Sequence, residues 1–471
     1  METVIRNGTV VTAGIEARLD VGIADGVVVQ LGGQMTGDVE LDATDRYVLP
    51  GGIDAHVHLT PPGTEPGSWR WVDDFEVGTR AAAAGGITCV GNMSFPRTGE
   101  QMADALARDV ADAEANAVVD HFQHPVLLDP SDDGVAQIET LAAAGHPSVK
   151  IFLSFHRFDR NVTGYLRAMS AAADAGSIVL VHCEDPGILH CCGTALTDSG
   201  HTEATHFPAS RPVEAERVAT ERAVGYCATT GATTYVVHLS SRAALEACRT
   251  GRARGLPLHV ETRPIYLHLT EERFAEPDGA KYAGAPPLRT EADRAALWAG
   301  LVDGTVSTVC TDHAPWTLEE KLDPSLTAAS LRHGMAELET MLPVLWSEGV
   351  ATGRLSVARF VELTSTTSAR LFGLYPRKGT IAPGSDADLV IWNPDERRVV
   401  DGSSMWSNAG YSPYDGWEVT GWPELTMSRG EVVARAVDGP DGAATGRRMA
   451  VDAVAGRGMT VARDRRPRRA G

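Results

Sequence analysis

The chain has 471 residues, with 62 acidic against 42 basic side chains and a formal net charge of −20. That length suffices for a large core and more than one domain. The acidity argues against nucleic acid and anionic membrane as partners, and no run approaches eighteen apolar residues, so no membrane span is expected.

The opening METVIRNGTVVTAG has no basic segment followed by an apolar one, so no export signal is expected. Seven cysteines, an odd number without CxxC spacing, then fit reduced thiols in a cytoplasmic protein. Residues 1–50 read as short strands punctuated by Gly and Asp, the first part of a small β unit. Over 51–374 the pattern changes. Eight apolar strand candidates, at 53–58, 87–93, 118–123, 148–154, 178–183, 234–239, 256–262 and 306–312, alternate with Ala-rich amphipathic stretches. Strands that are apolar throughout and alternate with helices imply a parallel sheet covered on its outer face. Eight such units predict an α/β fold, a (β/α)8 TIM barrel. A doubly wound open sheet is the competing arrangement. Strand-like text returns over 375–440, and its likeness to the first segment predicts one β-sandwich built from both chain ends. Residues 441–471 read as a solvated Gly-, Ala- and Arg-rich tail, partly disordered.

In such a barrel, chemistry gathers at the C-terminal ends of the strands. The first candidate strand ends in His56 and His58, whose spacing turns both imidazoles to one face. The fourth, SVKIFLSF, holds Lys150 inside an apolar run. The fifth ends at His182, the sixth at His238 and the eighth at Asp312. Each has an ordinary reading alone: a hydrogen-bonded structural histidine, or an aspartate capping the next helix. Together on one rim, four histidines, an aspartate and a lysine predict a metal site. Lys150 is the unusual member, one of only four lysines in the chain. An unpaired ammonium in an apolar strand lowers its pKa rather than stay charged. A neutral amine can take up carbon dioxide as a carbamate, an anionic ligand able to bridge two cations. The alternative is a lysine that snorkels to the rim.

These motifs, PGGIDAHVHL, DDFEVGTRAAAAGGIT, SVKIFLSF, VHCED, VVHLSS, VETRPIYL, KYAGAPPLR and TDHAPW, resemble the amidohydrolase superfamily. The likeness is to its cyclic amidohydrolases: the hydantoinases, dihydropyrimidinases, allantoinases and dihydroorotases. It implies two divalent metal ions, zinc in these families. His56, His58 and Asp312 would hold one, His182 and His238 the other, with carboxylated Lys150 between them. The implied reaction is hydrolysis of a ring C–N amide bond by a metal-bridging hydroxide, with Asp312 carrying the proton to the leaving nitrogen. A small cyclic amide as substrate and a homotetramer or homodimer as assembly follow from the same likeness.

The substrate determinants depart from the family patterns. Hydantoinases and dihydropyrimidinases usually carry a tyrosine five residues after the lysine, and here Phe155 has no hydroxyl. Their serine before PPLR is Ala285, and their Asn-Gly is His333 and Gly334. Dihydroorotases usually place an arginine after HxH-Leu, where this chain has Thr60. Yet TDHAPWTLEEK and GMAELETMLPVL look more like dihydroorotase or allantoinase text, with Trp316 where a second histidine is expected. Trp69, Trp71, Phe155 and Trp316 are expected to line an apolar pocket for a bulky ring substituent, with Arg70 or His156 as polar contacts. A hydantoinase- or dihydropyrimidinase-like enzyme with an altered pocket is therefore expected, with allantoinase or dihydroorotase activity as the alternative. A non-catalytic scaffold homologue lacks ligands that this chain keeps. A mononuclear deaminase-type enzyme would not require Lys150.

Overall fold

The computed structural model describes residues 1–12, 14–61, 70–437 and 448–465. Its centre is a ring of parallel strands: β1 (Gly52–Val57), β2 (Ile87–Ser94), β3 (Asp120–Pro125), β4 (Ser148–Phe152), β5 (Ile178–His182), β6 (Thr233–Val236), β7 (Leu258–Thr262) and β8 (Thr308–Val309). Ladders join β1 to β3 and β4 to β8 in sequence order, all parallel. Parallel bridges complete the ring, Val126 with Lys150 on one side and Val57 with His313 on the other. Closure excludes the open doubly wound sheet. The regular ladder of the eighth strand is shorter than expected, because the chain beyond it curls inward and leaves the ladder at Asp312, with φ 52°.

The barrel closes because its strands are buried on both faces; all five residues of β5 are buried. Ile53, Ala55, Ile178, Leu180, Tyr235 and Cys310 fill the lower interior, and Phe372 packs against them. Outer helices start on side-chain caps that satisfy their first amides. Asp74 caps Phe75–Ala84 and Thr290 makes a capping box at Glu291–Asp303.

Both chain ends build the flanking sandwich. A four-stranded sheet comes wholly from the N-terminal segment. In the seven-stranded sheet, Tyr47–Pro50 pairs antiparallel with Leu389–Val399. Ile5, Val21 and Val28 from the first sheet share a core with Val48, Leu389 and Met427 from the second.

The tail departs from expectation over its described residues. Arg448–Val451 extends the larger sheet, and Met459 and Val461 bond the backbone of His121 at the edge of β3. Arg463 is buried rather than solvated: Nη2 donates to Gln123 O at 2.8 Å and Ser148 Oγ at 3.0 Å, and the guanidinium lies over Phe122. The unpaired edge of β3 accounts for this, since it binds an extended chain whatever its composition. Residues 466–471 lie outside the described residues.

Candidate active site

Two parity switches build the rim. On β1, Ile53 and Ala55 face the barrel interior, so strict alternation would turn His56 and His58 outward. A register shift between Asp54 and Val57 reverses this and brings both imidazoles inside. On β6, Tyr235 and Val237 pack inward and His238 follows at φ 38°, a left-handed conformation that again turns the side chain to the centre. His238 and Asp312 are both non-glycine residues at positive φ, and such strain collects at functional sites.

The predicted residues converge. Asp312 Oδ1 lies 2.9 Å from His58 Nε2 and 3.2 Å from His56 Nε2, a group of three able to hold a metal ion. His56 and His238 have ring centroids 5.5 Å apart, and His238 and His182 4.5 Å apart. Several buried atoms here lack hydrogen-bond partners: His56 Nε2, His58 Nδ1, His238 Nδ1 and Lys150 Nζ. Buried polar atoms are normally satisfied. The group of His56, His58 and Asp312 therefore fits a divalent cation, with two imidazoles and a carboxylate oxygen as donors.

The surrounding groups orient these side chains. Glu261 Oε1 accepts from His56 Nδ1 at 2.8 Å and from the His238 amide at 2.8 Å, which leaves His56 Nε2 free to face inward. His182 Nε2 meets Glu184 at 2.8 Å, and Arg211 grips that carboxylate with two donors. Asp54 accepts from the amide and hydroxyl of Thr311 and from the His56 amide, joining β1 to the end of β8.

Burial governs the charges. It lowers His58 to about 4 and His238 well below its ordinary value, keeping both neutral. Burial opposes ionisation of Asp312, but His56, Arg263 and the His58 hydrogen bond outweigh it and hold its carboxyl well below the usual range. Burial lowers Lys150 to about 8 against the pull of Asp312 and Glu261.

The four lysines make a direct comparison. Lys281 pairs with Asp278, Lys321 donates to three carbonyl oxygens, and Lys378 sits among Asp120, Asp386 and Asp388. Lys150 alone has no oxygen partner, and its ammonium lies 4.8 Å from the centre of the Phe152 ring. Asp120, Asp386 and Asp388 also have the spacing of a cation site. Lys378 occupies that space and, with Arg429 on Asp120, offsets most of the cluster's charge.

A cavity of about 260 Å³ opens above these side chains. One wall is aromatic. Trp71 lies 4.5 Å from His58 and 5.6 Å from Phe95; Phe95 lies 5.6 Å from Phe152, which stacks on Phe155 at 4.7 Å. Ser154, Arg211, Ala285 and His333 also line the cavity. Trp316 is not in its wall: the indole N–H bonds His333 O at 2.8 Å, behind the loop that bears His333. Arg70 and His156 are exposed and are not among the lining residues. Trp69 lies outside the described residues.

Residues 47–433 match the amidohydrolase family model. The chain belongs to the amidohydrolase family. This amidohydrolase is 35% identical to a D-hydantoinase of Ralstonia pickettii over 92% of its own length and 95% of the relative's. It is 36% identical to a D-phenylhydantoinase of Escherichia coli O9:H4 (strain HS), over 92% and 94%. A solved dihydropyrimidinase from Brevibacillus agri NCHU1002 superposes with a TM-score of 0.90 at 34% identity, covering 100% of each chain. The protein is thus a metal-dependent hydrolase of the cyclic amide class.

Sequence reasoning missed Asp54, Glu261, Arg263, Glu184 and Phe95. A signal existed for two of them: VETRP puts Glu261 and Arg263 on either side of Thr262 at the end of an apolar strand. Ionic residues at the C-terminal end of a barrel strand read as functional.

Proposed function

We propose that this amidohydrolase opens the ring C–N amide bond of a hydantoin- or dihydropyrimidine-like cyclic amide that carries an aromatic or other bulky apolar substituent. The observation that carries this reading is one cavity in which the aromatic wall meets the His, Asp and Lys cluster. The polar cluster suits the reacting amide and the wall suits the substituent.

His56, His58 and Asp312 would hold one divalent cation, zinc, and His182 and His238 would hold a second, with carboxylated Lys150 as a further ligand. Carboxylation joins Nζ to the carbon of carbon dioxide and releases one amine proton. The support is an amine that is buried, lacks an oxygen partner and has a lowered pKa. Bound cations would supply Lewis-acid polarisation of the ring carbonyl and a water reactive near neutral pH. Asp312 takes a proton from the attacking water and returns it to the ring nitrogen as a C–O bond forms and the C–N bond breaks. Ser154 and His333, on the cavity wall, donate to substrate oxygens where Phe155 cannot.

Among the described residues no helix is long and apolar enough to cross a membrane. A cytoplasmic location draws on seven cysteines, none of them in a disulfide. A homotetramer or homodimer draws on the helix Pro186–Asp198, whose Ile188, Leu189 and Leu196 are only partly covered.

The test is a substrate panel: hydantoin, phenylhydantoin, dihydrouracil, allantoin and dihydroorotate. Phenylhydantoin is expected to have the highest kcat/KM. Turnover of dihydroorotate alone overturns the reading.

A further inference from the structure

We infer that Arg263 is a positioning residue that fixes the Asp312 carboxylate, keeping one oxygen for the metal centre and the attacking water and holding the other away from both. The inference rests on the proposed role of Asp312. Arg263 extends from the end of β7 and its side chain has no exposed surface. Nη1 donates to Asp312 Oδ2 at 3.1 Å, and Nη2 donates to Glu337 Oε2 at 2.6 Å. Tyr414 OH donates to the other Glu337 oxygen at 2.8 Å. The guanidinium is therefore held from behind by a carboxylate that is itself held.

The two Asp312 oxygens have different surroundings as a result. Oδ1 faces His58 and His56 at 2.9 and 3.2 Å, while Oδ2 faces a fully buried cation. A carboxylate rotates readily about its terminal torsion, since that torsion is broad and two-fold. Here rotation would exchange the two oxygens and break the bond to Arg263. Asp312 also stands on a strained backbone, at φ 52°. A planar fork with fixed donor directions suits this task, and a lysine point charge does not.

A purely structural Arg–Glu pair is the competing account. Removing one partner alone would strand a buried charge, so the main variant is the double substitution Arg263→Met with Glu337→Met, which removes both charges together. The prediction is a folded protein whose kcat falls about 10–100-fold, in the range for residues that orient metal ligands, with KM within about threefold. The readout independent of turnover is the visible spectrum of the cobalt-loaded protein. It is expected to change in the double variant as Asp312 gains the freedom to offer both oxygens. Glu337→Gln leaves Arg263 charged but weakly held, and is expected to shift both readouts in the same direction by a smaller amount. It carries the test if the double variant fails to fold. A folded variant with wild-type kcat and an unaltered cobalt spectrum overturns the inference. Failure of the wild-type protein to hydrolyse any cyclic amide overturns the proposed function instead, and the spectrum still reports on Arg263.

Discussion

Phe155 puts a bare ring where a phenol would supply a hydrogen-bond donor to the reacting carbonyl. Its ring stacks on Phe152 and borders the cavity. Phe155→Tyr is expected to raise kcat by about tenfold, a fraction of the 10²–10³ attributed to a fully placed oxyanion donor. Steady-state kinetics on the best substrate of the panel check this; an unaltered kcat would show that Ser154 and His333 already stabilise the oxygen in full. Lys150 gives a second prediction. In Lys150→Ala, metal analysis should fall from about two ions per chain, the two-metal stoichiometry, to one or fewer. Activity should be lost and partly restored by short carboxylates such as propionate. Full activity without added acid would contradict a bridging role.

At the scale of elements, the cavity's polar side depends on one buried lysine. Lys321 Nζ donates to Ala283 O, Arg332 O and Gly334 O at 2.7, 2.7 and 3.0 Å, tying the loop before Ala285 to the loop that carries His333. Lys321→Met removes three hydrogen bonds and leaves three carbonyls bare, so both loops loosen. KM is expected to rise about tenfold with a smaller change in kcat, as for lost substrate binding common to ground and transition states. Faster amide exchange over 283–286 and 332–334 should accompany it. The same scale shows where the sequence was legible. The eight strands stood out because a doubly buried strand must be apolar along its length, and the rim residues stood out as polar groups ending such runs. The register shift that turns His56 inward left no trace in the spacing, because HxH reads alike on either face of a strand. The partnership of Arg263 with Glu337 and Tyr414 was equally hidden, since it joins residues far apart in the chain. Arg463 was misread because composition says nothing of a free strand edge awaiting it.

For the whole molecule, acid is the expected weakness. Burial pushes His121 and His268 to about 4, against about 6.5 in an unfolded chain. Below pH 6.5 the unfolded state binds protons that the folded state refuses, so stability is complete above that pH and falls as pH drops toward 4. The urea midpoint should decline across this window, and His121→Gln should flatten the decline by about one proton's worth. Parallel pH profiles for the two proteins would sink the assignment. The union of barrel and sandwich has its own fastening in Lys378, which bonds Asp120 on β3 and Asp388 ahead of the strand Leu389–Val399. Lys378→Met strands buried carboxylates and should cost about 3–5 kcal/mol, read as a lower urea midpoint. The shared sheet of the sandwich has a further consequence, for synthesis. Tyr47–Pro50 leaves the ribosome long before its neighbour Leu389–Val399 exists. Until the barrel has been translated, that segment has an unfilled edge, and contacts of such long range form slowly. Nascent chains stalled within the barrel should therefore bind holdase chaperones through their first fifty residues, and release them once the final strands emerge.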